Sequence, residues 1–155
     1  MAMNLYYLGL SNFWNYAMLN NEKKNPDQQL LKDADSAFEK VIALVPDYDP
    51  ALWYRVRVHK LLDSPEAPTG LAIPFYEKYV ELVTVTKPEK ATTKAVSTNL
   101  IDAYNNLAAF YSATDKDKAI EFLNKTLTID PQNAYATETL KILTQPAPPK
   151  KAPIK

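Results

Sequence analysis

The chain has 155 residues, enough for one domain with a real core, and its 18 Lys and Arg balance 18 Asp and Glu, so no broad field favours nucleic acid or an anionic membrane. Cysteine is absent, which excludes disulfides, thiolate chemistry and sulfur-bound metals. The only glycines, Gly9 and Gly70, leave no glycine-rich run to cradle a phosphate, and long 3.6-residue periods predict an all-α chain.

The first helix is expected over about Met3 to Asn20. No charge occurs before Glu22, yet Asn4, Asn12 and Asn15 break any continuous apolar run, so the stretch reads as neither an export signal nor a membrane span. Tyr6, Tyr7, Leu10, Trp14, Ala17 and Met18 spread apolar surface around the cylinder, which predicts cover on both sides: a preceding helical unit, a second copy or a ligand. A charged loop, Asn21 to Gln29, follows. The second helix, about Gln29 to Val45, turns Leu31, Ala34, Phe38, Val41 and Ile42 inward and stops at Pro46. A third helix spans about Pro50 to Leu62 and carries the basic cluster Arg55, Arg57, His59 and Lys60. Arg55 and Arg57 are expected to pair with carboxylates such as Asp63 or Glu66 or to lay their stems on neighbouring helices, or else to meet an anionic partner.

Past the proline-dense turn Asp63 to Gly70, a fourth helix begins near Leu71 with Ala72, Tyr76, Tyr79 and Val80 inward. A fifth, about Glu89 to Ser112, opens after Pro88; its threonines, Thr92, Thr93 and Thr98, are expected to face solvent or bond to backbone. Asp115 is expected to cap a sixth helix, about Lys116 to Thr128, and a seventh runs from Gln132 to Leu143. The tail, 145–155, is rich in proline and lysine and reads as a disordered spacer or a docking peptide.

The stretch Asp102 to Ala134 resembles one tetratricopeptide repeat. Tyr104, Leu107, Ala108 and Tyr111 stand one helical stripe apart, Ala119, Leu123, Thr126 and Leu127 form a matching stripe, and Pro131 closes the unit. Leu8-Gly9 fits the same pattern in the first helix, while Arg57 falls where a glycine or alanine is preferred. The resemblance implies a right-handed superhelix of antiparallel helix pairs: repeats at about 3–46, 50–86 and 88–131, then a capping helix, 132–143, all within one domain, 1–144. The run from Ala51 to Leu82 also resembles repeat proteins of bacterial envelopes, which implies a periplasmic parent protein with a signal peptide upstream; the cytoplasm is the alternative.

Function is expected to be recognition, without catalysis, metal or cofactor. Asp33 with Asp35 and Asp115 with Asp117 read as helix-start acids, and His59 has no second histidine near it. A concave face near Tyr6, Phe13, Trp14, Tyr54, Arg55, Val58, Asn105, Asn106 and Ala109 is expected to receive a peptide or protein partner. Repeat proteins that grip a C-terminal carboxylate carry lysine and asparagine where Tyr6 and Leu10 stand here, so that particular mode is disfavoured. The structural alternative is an end segment of a longer solenoid, or a homodimer formed through the first helix.

Overall fold

Residues 1–145 are described by the structure, a computed structural model. Among them the chain forms seven α-helices and no strand: α1 (Ala2–Asn21), α2 (Gln29–Leu44), α3 (Asp49–Leu62), α4 (Ile73–Glu81), α5 (Lys94–Tyr111), α6 (Lys116–Ile129) and α7 (Ala134–Thr144). The proline-rich tail beyond Gln145 lies outside the described residues. Two compact units, Met1–Ala103 and Tyr104–Lys155, divide within α5.

In the first unit α1 packs on α2, α2 on α3 and α3 on α4. The seam between α1 and α2 closes at Gly9, where an added Cβ would stand 2.6–2.9 Å from ring carbons of Phe38. Only glycine allows that approach. Phe13, Leu31, Ala34, Phe38, Val41, Ala51 and Val58 form the core there, with Tyr6, Tyr48 and Tyr54 packed around it. Each such side chain, taken fully from water, is worth about 1.5–3 kcal/mol before the entropy of ordering is subtracted.

Helix ends follow local chemistry. After α1, Lys23 takes the left-handed conformation at φ 57°; its N–H donates to Asn20 O, and the Lys24 N–H reaches back to Leu19 O. This pair of bonds usually has glycine at the turning residue. Pro50, Pro74 and Pro88 each sit in the first turn of their segments, where a missing N–H costs nothing.

Between α3 and α4, Asp63 does not pair with the arginines as expected. Its carboxylate gathers the backbone N–H groups of Thr69 at 2.8 Å, Gly70 at 2.8 Å and Leu71 at 3.1 Å, together with the Thr69 hydroxyl at 2.9 Å. These bonds hold its carboxyl down at about 2, and Gly70 turns the chain at φ 82°.

The fourth and fifth helices differ from expectation at their junction. α4 does not stop at a connector: it widens into a π-helical turn, Leu82–Thr86, in which the Lys87 N–H donates to Leu82 O and the Thr84 hydroxyl to Val80 O. The run Val83-Thr84-Val85-Thr86 crowds a regular helix through its branched Cβ atoms, and Thr84's back-bond competes for a carbonyl. The expected single long helix is a 3₁₀ turn, Pro88–Thr92, followed by α5. Lys90 Nζ, 2.7 Å from Asp49 Oδ1, ties that turn to α3.

Tyr76 donates its hydroxyl to Asp102 Oδ2 at 2.9 Å and Asn99 donates to the Tyr79 hydroxyl at 3.0 Å, anchoring α5 to α4. Burial pushes both phenols up, that of Tyr79 to about 12. The hydroxyls of Thr92, Thr93 and Thr98 donate to backbone carbonyls three or four residues back, as expected.

The second unit packs Tyr104, Leu107 and Ala108 of α5 with Ala119, Phe122 and Leu123 of α6, all buried. Tyr104 and Tyr111 both stack near Phe122, with centroids 5.9 and 6.1 Å away. Asp115 caps α6 through the Lys118 N–H at 3.0 Å. α7 starts two residues later than expected because Asn133 is its cap, accepting from the Ala136 N–H at 3.0 Å. Thr126, fully buried, donates to Asn105 Oδ1 at 2.9 Å.

Candidate functional site

An open cleft of about 410 Å³ lies in the first unit, lined by Phe13 and Ala17 of α1, Trp53, Arg57, Lys60 and Leu61 of α3, and Asp102 of α5. It exists because α3 offers two unlike faces. Arg55 points to one side. Its Nε and NH2 donate to the two oxygens of Asp35 at 2.8 and 2.9 Å, and Glu39 stands 3.2 Å away. Asp35 is therefore the partner of Arg55 rather than a helix-start acid. His59 stacks on Phe75 with ring centroids 4.0 Å apart and holds its buried Nε2 3.3 Å from the same carboxylate. Burial alone would raise the Asp35 carboxyl, but His59 and Arg55 outweigh it and hold it at about 2.

Arg57, two residues along, points to the other side. Its guanidinium carbon stands 4.7 Å from the ring centroid of Phe13, 5.1 Å from that of Trp14 and 5.0 Å from that of Tyr54. A cation resting on aromatic faces is attracted by their quadrupoles, by about 0.5–2 kcal/mol per ring as solvent is excluded. The aromatic bed explains how α3 accommodates an arginine at a small-residue position. Lys60 Nζ lies 3.9 Å from Asp102 Oδ1, at the other end of the cleft.

A comparison with solved structures places this architecture. The C-terminal part of a TPR repeat-containing protein from Cytophaga hutchinsonii superposes with a TM-score of 0.70 at 29% sequence identity, over 90% of this chain and 47% of that one. The fold is of the tetratricopeptide-repeat kind. This chain thus spans less than half the length of the tetratricopeptide chain it matches. No family-wide sequence profile matches it, and no curated protein does.

On this tetratricopeptide framework the residues singled out from the sequence fall into distinct places. Phe13 and Val58 are buried in the core, and Tyr54 is stacked on Phe38 with its edge toward Phe13. Tyr6 is half-buried among Tyr48, Tyr54 and Phe38, and burial with its neighbours Tyr48 and Tyr54 pushes its phenol up to about 12. Trp14 keeps half its surface exposed, edge-on to Phe13. Phe13, Trp14 and Tyr54 therefore converge on Arg57, whereas Arg55 lies on the opposite side of α3.

In the second unit Asn105, Asn106 and Ala109 do share a hollow with Tyr135, of about 290 Å³. Asn105 spends its carbonyl on Thr126. Sequence reasoning missed Arg57 as the hub, although a bulky cation at a small-residue place opposite Phe13-Trp14 was the available signal. Among the described residues no group of three or more His, Asp or Glu could hold a metal, and no helix is long and apolar enough to cross a membrane.

Proposed function

We propose that the chain is a recognition module that receives a peptide or partner protein in the cleft between α1, α3 and α5, without catalysis. The observation that carries the reading is the cleft itself: open, lined by Phe13, Trp53 and Leu61, and edged by Arg57 and the Lys60–Asp102 pair. Apolar walls with a few placed polar groups suit a side chain of a bound segment. No lining residue is a serine, threonine or histidine, and its lysine and aspartate, Lys60 and Asp102, stand as an ion pair 3.9 Å apart. In this reading α1, α3 and α5 serve as the first helices of successive pairs.

Selection of phage-displayed random dodecapeptides on the immobilised protein tests the proposal. Peptides should be recovered, and Ala17→Glu, which projects a carboxylate into the cleft, should abolish their binding while the helical spectrum stays unchanged. Recovery of no peptide, or equal binding to that variant, would remove the cleft from consideration.

A second reading is favoured by a separate observation. Met3, Tyr7, Trp14 and Met18 are 44, 60, 50 and 58% exposed and lie four, seven and four residues apart, one apolar stripe along α1. Such a stripe suits packing against another helix, of a longer solenoid or of a second copy. Sedimentation equilibrium of the wild type beside Tyr7→Glu/Met18→Glu tests self-association: a dimer dissolved by the double substitution supports it, and a monomer at all concentrations rules out the dimer.

A further inference from the structure

Among the described residues, Arg57 is a cation whose surroundings prepare it for a ligand. Its neighbour Arg55 is consumed by Asp35 and Glu39, and Lys90 and Lys125 are paired with Asp49 and Glu121. Among the described residues Arg57 makes no ion pair and no hydrogen bond; what it touches are the rings of Phe13, Trp14 and Tyr54.

Attraction to the rings uses the charge of the guanidinium and consumes none of its N–H groups in a hydrogen bond. Those donors are arranged as a fork that fits the two oxygens of a carboxylate. Three aromatic contacts also restrict the side chain, so less rotamer freedom remains to be lost when an anion binds. The same rings lower the local polarity, which strengthens a charge-assisted bond made there. Lys60, about one helical turn further along α3, is offset by Asp102 3.9 Å away on the same lining, so the net positive charge of the cleft sits at Arg57. α1, which supplies the facing wall, contributes none of either sign before Glu22.

We infer that the cleft selects acidic peptides: the guanidinium of Arg57 takes the carboxylate of an Asp or Glu side chain from a bound segment, while Trp14 and Leu61 receive the apolar residues beside it. This rests on the proposed recognition role and specifies its ligand. The charge complementarity is local, since the chain as a whole is neutral and offers no extended basic track for a nucleic-acid backbone.

The test is to repeat the dodecapeptide selection on wild type, Arg57→Gln and Arg57→Lys, with far-ultraviolet spectra and melting curves as folding controls. Wild type should enrich Asp and Glu at one peptide position; Arg57→Gln should lose that enrichment. The best acidic peptide, followed by fluorescence anisotropy, should bind Arg57→Gln at least about tenfold more weakly, a difference of about 1.4 kcal/mol. Arg57→Lys, which keeps the charge but not the fork, should fall between the two and decides the matter if the glutamine variant does not fold. Recovered peptides without acidic enrichment that still depend on the cleft would overturn this inference and leave the recognition role standing. Failure to recover any peptide would remove both, and an oligothymidylate competing as well as the acidic peptide would overturn the assignment to peptides.

Discussion

Replacing Gly9 by alanine is a direct assay of the α1–α2 seam, because two opposed effects have to be weighed. In an open helix the substitution stabilises by about 0.5–1 kcal/mol, since glycine loses more backbone freedom on folding. Here the new methyl carbon would stand 2.6, 2.8 and 2.9 Å from three carbons of the Phe38 ring. Favourable carbon contacts lie near 3.5–4.0 Å, so the overlap is about an ångström. The ring cannot swing aside cheaply: Phe38 is 0% exposed, stacked on Tyr54 with centroids 5.3 Å apart and tilted against Tyr6 at 5.8 Å. Overpacking a filled core typically costs about 1–3 kcal/mol, which outweighs the helix gain and leaves a net loss of about 1–2 kcal/mol.

Urea unfolding followed by circular dichroism reads this difference. In a Phe38→Leu background, where the ring is gone, Gly9→Ala should become neutral or stabilising, so the two changes should couple by about 1 kcal/mol or more. A Gly9→Ala protein as stable as the wild type, or more so, would show that α1 and α2 do not meet at this residue.

Asp35 offers a pH prediction. Its carboxyl is held at about 2 against an ordinary 3.8, so the native state binds fewer protons than the unfolded one between those values. The stabilisation, about 2 kcal/mol for a pair only 14 and 18% exposed, is fully present above pH 4 and is lost as the pH falls through 2. Melting curves at pH 7, 4 and 2 should therefore fall more steeply at the acid end for wild type than for Asp35→Asn, and parallel curves would contradict the pairing. Asp63→Ala should speed amide hydrogen exchange of Thr69, Gly70 and Leu71 about tenfold or more while barely moving the melting temperature; unchanged exchange would show that the carboxylate does not organise that turn. Lys23→Gly should stabilise the chain by up to about 1 kcal/mol, because glycine takes the left-handed turn after α1 without penalty, and a destabilised variant would argue against that turn.

The helices were legible in the sequence because their signals are local. Apolar spacing gave α2, α3 and α6 to within about two residues, proline marked three starts, and Asp115 announced its cap. The junction after α4 was not legible. Whether a β-branched run continues a helix, breaks it or widens it into a π turn depends on what packs on Val83, which is fully buried.

The basic cluster on α3 shows the same boundary. Arg55 and Arg57 look equivalent on the page, yet two residues along a helix is more than half a turn, so one meets Asp35 and the other meets three rings. Asp63 was a plausible ionic partner by proximity, but its own turn offered it four backbone donors nearer at hand, those of Ser64, Thr69, Gly70 and Leu71. The candidate site was legible as far as Phe13, Trp14 and Tyr54, which are aromatic and close to the pattern positions of their helices. Its chemical centre was not, because the identity of an arginine's neighbours is a tertiary fact.

The most direct test of the recognition account is a nuclear magnetic resonance titration of isotopically labelled protein with a cleft-selected peptide. Shifts should concentrate at Ala17, the Trp53 indole N–H, the Arg57 Nε–H and Leu61. Shifts confined instead to the outer face of α2, around Asp33, Ser36 and Lys40, or the absence of any saturable change, would contradict it.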